Sequence, residues 1–87
     1  MASKSPPETA TGDERIHAVA DAIASHLQRH PRSADTVRGI RQWWLQAVAV
    51  NASDAEVEQA LSLLEAKGIV ESLHAGPQRL WRRRRHR

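Results

Sequence analysis

The sequence predicts a mainly α fold in which three helices are followed by a small β-hairpin. Three observations lead there. Apolar residues recur at helical spacing in three separate stretches. The last of these, within SDAEVEQALSLLEAKGIV (53–70), carries both a start and a stop signal. Beyond Gly68 the pattern changes to two short runs of strand character, IVESL and RLWRR, separated by HAGPQ with its Gly-Pro turn signal.

Residues 1–12 open the chain. The first ten, MASKSPPETA, are polar and include Pro6-Pro7, so they read as a disordered tail with nothing to bury. The first helix is expected from about Asp13, with Thr11 and Glu14 matching a capping box. Asp13 and Glu14 suit the positive end of its dipole. Ile16, Val19, Ala20, Ile23, Ala24 and Leu27 follow at i, i+3, i+4, i+7, i+8 and i+11, one continuous apolar face. Pro31 ends the helix near His30, because the residue before proline avoids the α region.

Arg32 to Ala34 read as a short connection, and Asp35 or Thr36 as the cap of a second helix, TVRGIRQWWL. Val37, Ile40 and Trp44 share a face, and Trp43 lies about 100° away from Trp44. One tryptophan is therefore expected in the core and the other at its border or on the surface. Gly39 costs about 1 kcal/mol relative to Ala within a helix. Close approach to the first helix is its expected use. The helix is expected to run to about Ala47, with a turn at Asn51.

The third helix has the fullest punctuation. Ser53 and Glu56 form a capping box, Val57, Leu61 and Leu64 make the apolar stripe with Ala60 beside it, and Gly68 closes the end in a left-handed conformation. The expected core joins Ile16, Val19, Ile23 and Leu27 to Val37, Ile40 and Trp44 and to the third-helix stripe, closed by Ile69 or Val70 and by Leu80.

With 87 residues there is room for one domain, 13–83, between the tail and a basic C-terminal segment, 84–87. A domain this small buries only about 60% of the surface its unfolded chain exposes. The chain has no Cys, which excludes disulfides and thiolate metal sites. It has no apolar run of membrane-spanning length, and residues 1–12 carry no signal-peptide core. The expectation is a soluble cytoplasmic protein without membrane contact. The basic residues are nearly all Arg, with Lys only at 4 and 67, a composition that hints at a GC-rich bacterial genome.

Charge is divided unevenly. Residues 1–78 hold seven Lys/Arg against ten Asp/Glu, a net −3, while residues 79–87 hold six Arg and no acid. The run RLWRRRRHR is the one pronounced constellation. Its guanidinium groups suit phosphates or an acidic protein surface, and Trp81 either stacks on a base or fills the core of the last strand. His26 and His30 stand four apart on one helical face, but no further metal ligand is evident, and surface imidazoles are the simpler reading. No catalytic set is present: there is no Cys, no Tyr and no Gly-rich phosphate loop, and no Ser, His and acid stand in a recognisable arrangement. Neither an enzyme nor a cofactor is expected.

The segments VEQALSLLEAKGIVES (57–72) and RLWRR (79–83), in the order helix, helix, helix, hairpin, resemble the winged-helix branch of the helix-turn-helix superfamily. The resemblance covers about 13–83 and implies a three-helix winged-helix domain. It also implies, for a DNA-binding member, that the third helix enters the major groove while the wing reaches phosphates. Carried onto this chain, Gln59 and Ser62 would meet base edges. Arg38, Arg41, Arg79, Arg82, Arg83, Arg84, Arg85 and Arg87 would meet phosphates. The third helix departs from that pattern, with Asp54, Glu56, Glu58 and Glu65 and no basic residue before Lys67. Two functions follow. One is a small DNA-binding regulator that uses wing and tail. The other is a protein–protein adaptor that docks through the acidic third helix and the Trp-bearing second helix.

Overall fold

The computed structural model describes residues 8–85, with side chains from position 13 onward. Helix α1 (Glu8–Arg29) is followed by strand β1 (Ala34–Asp35) and helix α2 (Val37–Gly39). α2 passes into a π-helical turn (Ile40–Trp44) and a 3-10 turn (Gln46–Val48). Helix α3 (Asp54–Ala66) and strands β2 (Val70–Ala75) and β3 (Gln78–Arg83) complete the chain. The fold is mainly helical with a three-stranded antiparallel sheet of order β1-β3-β2. No helix among the described residues is long and apolar enough to cross a membrane.

α1 begins at Glu8, not near Asp13, so Thr11 and Gly12 lie inside the helix and do not cap it. One interior glycine costs only about 1 kcal/mol, which a docked apolar face easily outweighs. The segment 1–12, expected as a disordered tail, thus gives 8–12 to the helix, and 1–7 lie outside the described residues. The far end falls as expected. α1 stops at Arg29, and the His30 amide donates to His26 O at 2.8 Å just before Pro31.

Thr36 caps α2, its hydroxyl accepting the Gly39 amide at 3.1 Å. Asp35 turns its carboxylate back to accept the Thr36 amide at 2.8 Å. A Cβ on Gly39 would collide with that carboxylate. Gly39 therefore makes room for Asp35, and the expected close approach to the first helix is not what it serves. The helix then widens. Leu45 donates to Ile40 O at 3.0 Å, five residues back, which sets Leu45 over Ile40. Ile40, Trp44 and Leu45 are all buried as a result, while Trp43 is turned outward at 66% exposure. Ala49, left-handed at φ 59°, closes this stretch.

Both signals of α3 are realised. Ser53 and Glu56 exchange the two bonds of a capping box. Gly68 has φ 76°, the Gly68 amide donates to Glu65 O and the Ile69 amide to Leu64 O, the pair of bonds that ends a helix at a left-handed glycine. The chain leaves directly into β2. At the hairpin tip Gly76 (φ 63°) and Pro77 form a two-residue loop between Ala75 and Gln78. A positive-φ glycine first and a φ-restricted proline second suit a type II′ turn.

The core consists of Val19, Ala20, Ile23 and Leu27 from α1, Ile40, Trp44 and Leu45, the α3 stripe Val57, Ala60, Leu61 and Leu64, and Val70 and Trp81 from the sheet. Ile16 and Val37 pack at its margin. Leu80, expected in the core, is only half-buried. The register pairs it with Leu73 on the face turned away from the helices, while Trp81, opposite Ser72, faces them. Of the pair Ile69 and Val70, Val70 is the buried one.

Candidate interaction surface

The exposed side of α3 presents Asp54, Glu58 and Ser62 in one row, four residues apart, so they stack along a single stripe. This stripe forms one wall of a groove of about 460 Å³, with Arg38 at the start of α2 and Arg79 and Trp81 of β3 on the other walls. The groove carries both signs of charge. Gln59, the other residue expected to read bases, is exposed on α3 but does not line it.

The arginines expected to meet phosphates are spread over separate places. Arg41 is tied to Asp54, Nε to Oδ1 at 2.7 Å. Arg82 is tied to Glu71 at 2.8 Å on the outer face of the hairpin. Arg79 lies 4.6 Å from the centre of the Trp81 ring, a cation–π contact over the edge of the core. Trp81 itself is buried at 4% exposure, a core residue that leaves little ring surface for a base. Arg83 and Arg84 border a shallow cavity floored by Leu27, Gly68 and Ile69. With Arg85 they also flank Pro31, beyond the C-terminal end of α1. Among the described residues, no ion pair involves Arg38, Arg79, Arg83, Arg84 or Arg85. Arg87 lies outside the described residues.

Three further contacts were not legible beforehand. Arg15 of α1 donates Nε (2.7 Å) and Nη2 (3.0 Å) to the two carboxylate oxygens of Glu56. Its Nη2 also donates to Asn51 O at 3.0 Å. Hydrogen bonding from Arg15, then from the Ser53 amide, pushes the Glu56 carboxyl down to about 2, and the Arg15 guanidinium is held above its ordinary value by the same bond. Elsewhere His26 stacks on Trp44, ring centroids 4.3 Å apart and planes at 13°, with Nε2 3.3 Å from Ser33 Oγ. Burial first, then the nearby His30 and Arg29, lowers the His26 pKa. The His26 ring thus packs on the core tryptophan, 4.8 Å from His30, and among the described residues no three His, Cys, Asp or Glu gather as metal ligands would. The third is β1, whose two residues are too few for an alternating pattern to register.

Comparison with known proteins returns no match to this chain, whether among family models, characterised proteins or solved structures.

Proposed function

We propose that this chain is a winged-helix module that docks onto another protein, and that it does not read a DNA groove. The helix order, the left-handed Gly68 that turns α3 into the hairpin and the short β1 beside β3 support the winged-helix reading. The observation that carries the adaptor reading is the exposed row Asp54, Glu58 and Ser62. A third helix pushed into a major groove would meet phosphates with carboxylates, and one of the guanidinium groups beside it, Arg41, is already engaged by Asp54. The surface is bipolar, acidic along α3 and basic around Arg83, Arg84 and Arg85. A nucleic acid offers one sign of charge throughout, whereas a protein surface can match both signs. Trp43, exposed on the second helix, supplies the kind of side chain that dominates protein interfaces.

One observation favours the second reading, sequence-independent nucleic-acid binding through wing and tail. It is the cluster Arg83, Arg84 and Arg85, which has no acidic partner among the described residues. Two experiments separate the readings. Full-length protein is titrated onto random duplex DNA over a salt series. The adaptor reading expects weak binding that disappears by physiological salt. Tight binding, with a log–log salt slope approaching roughly −5 from six arginines and flattened by deletion of residues 82–87, would restore the nucleic-acid reading. In parallel, a photo-crosslinking residue at position 43 is expected to give a discrete protein adduct in the cells that make the protein. That adduct should vanish when Asp54 and Glu58 are both changed to Lys. Its absence would count against the adaptor.

A further inference from the structure

The sheet ends on β2, and among the described residues nothing pairs with its outer edge. The two-residue Gly76-Pro77 loop makes Ala75 and Gln78 a hydrogen-bonded pair. Alternation along the register then makes Leu73–Leu80 and Glu71–Arg82 hydrogen-bonded pairs as well. The bond from the Arg84 amide to Ile69 O at 2.9 Å, two positions further on, agrees with this parity. It follows that Val70, Ser72 and His74 turn their amides and carbonyls away from β3, toward the free edge.

Edge strands are usually guarded by Lys, Pro, a bulge or an unpaired charge. β2 has no Lys or Pro over Val70–Ala75 and an unbroken register with β3. Its one carboxylate, Glu71, is held by Arg82 in the same chain. On the outer face of the hairpin Leu73 and Leu80 lie directly opposite each other, half-buried and outside the core.

The geometry points to a second copy of this chain as the occupant of that edge, paired antiparallel, β2 to β2, about a two-fold axis through Leu73. A two-fold normal to the sheet keeps inner and outer faces in register, so residues of like parity pair. With Leu73 opposite Leu73 of the second copy, Ser72 faces His74 and Glu71 faces Ala75. Each Ser72–His74 pair exchanges both main-chain bonds through the groups already turned outward. The Leu73 pair becomes a non-hydrogen-bonded pair, whose Cα atoms approach to about 4.5 Å. Leu80, Leu73 and their two counterparts then form one apolar ladder across the outer face. No like charges face one another along the seam, and the contact closes on itself, so it stops at a dimer.

This inference is independent of the adaptor reading and has its own test. Sedimentation equilibrium of the full-length protein over a concentration series is expected to give a mass near twice the 9.7 kDa of one chain, falling toward one chain on dilution. Ser72→Pro removes an outward amide and no bond to β3, so the hairpin tolerates it. Leu73→Asp sets two carboxylates face to face across the two-fold and leaves the β2–β3 ladder intact. Each variant is expected to be monomeric, with unchanged helical circular dichroism. A wild-type protein that stays monomeric at the highest concentration overturns the proposal. So does a dimer that persists in the folded Leu73→Asp variant, whatever becomes of Ser72→Pro.

Discussion

Arg41 Nε lies 2.7 Å from Asp54 Oδ1 and joins the π-helical turn to the first residue of α3. Each residue has a role beyond the pair. Asp54 sits where the dipole of α3 favours an acid. Arg41 is one of the few basic groups beside the exposed face of that helix. Because the two are bound to each other, the α3 surface gains no attraction for phosphate from Arg41.

Asp54→Asn should therefore raise whatever weak affinity the protein has for duplex DNA at low salt, since it removes a carboxylate and releases a guanidinium. The cost in stability should stay within about 1 kcal/mol, because both side chains are largely exposed. Fluorescence anisotropy with a labelled duplex, together with urea unfolding, reads both quantities. An unchanged affinity would show that nucleic acid does not approach this face at all.

The Arg15–Glu56 pair predicts how stability responds to acid. The hydrogen bond from Arg15 holds the Glu56 carboxyl down to about 2 in the folded protein, below the ordinary carboxylate value of 4.5. A depressed folded pKa stabilises fully above the unfolded value and is lost as pH falls toward the folded one. The contribution of this carboxylate should accordingly fade between about pH 4.5 and pH 2. In Arg15→Gln the Glu56 carboxyl should move back toward its ordinary value, read from side-chain chemical shifts in an NMR titration. A Glu56 titration identical in both proteins would mean that the capping bond alone holds it down.

His26 works in the same direction at higher pH. Its folded pKa is lowered, so the unfolded chain takes up its proton first as the solution is acidified. Stability supplied by the neutral ring should be lost as pH drops through the ordinary value of 6.5. His26→Gln should flatten the stability profile around that pH in urea titrations. An equal slope in both proteins would show that the ring on Trp44 is not coupled to folding.

The features that the chain states locally were legible from it. The Ser53–Glu56 box, the α3 stripe and the left-handed Gly68 depend on neighbours within a few residues, and each is found where periodicity and capping put it. What escaped depends on distant partners or on a departure from regular geometry. Leu80 and Trp81 are adjacent apolar residues on a strand, and only the register with β2 decides which one faces the helices. The burial of both Trp44 and Leu45 requires the π turn, which a 3.6-residue period cannot foresee. At the candidate site the residue types were legible but their pairing was not. Arg41, Arg82 and Arg15 each find a carboxylate on another element, and sequence spacing carries no trace of that.

The different positions of Leu61 and Leu80 give a direct comparison. Leu61 is fully buried in the core, so Leu61→Ala should cost roughly 2–5 kcal/mol, a large share of what a small domain has. Leu80→Ala removes the same atoms from the outer face of the hairpin and should cost well under half of that. Chemical unfolding of both variants below the concentration at which copies associate measures the difference. Equal losses would place Leu80 in the core after all.

Gly39 offers the sharpest check on the second helix. Its position is helical, so on propensity alone Gly39→Ala should stabilise by about 1 kcal/mol. The added methyl, however, would occupy the space of the Asp35 carboxylate, which is held in place by the Thr36 amide. Asp35 is also anchored through its backbone, since β1 pairs it with Trp81. It cannot swing aside without giving up the bond to Thr36. Gly39→Ala should therefore destabilise, by about 1–3 kcal/mol as for other overpacked sites. Asp35→Ala alone should be mildly destabilising through the lost bond to the Thr36 amide. In the double variant the methyl meets no carboxylate and the propensity gain returns, so it should be more stable than Gly39→Ala alone. A double-mutant cycle by urea unfolding gives that coupling directly. Strictly additive losses would mean that Asp35 does not occupy the space beneath Gly39.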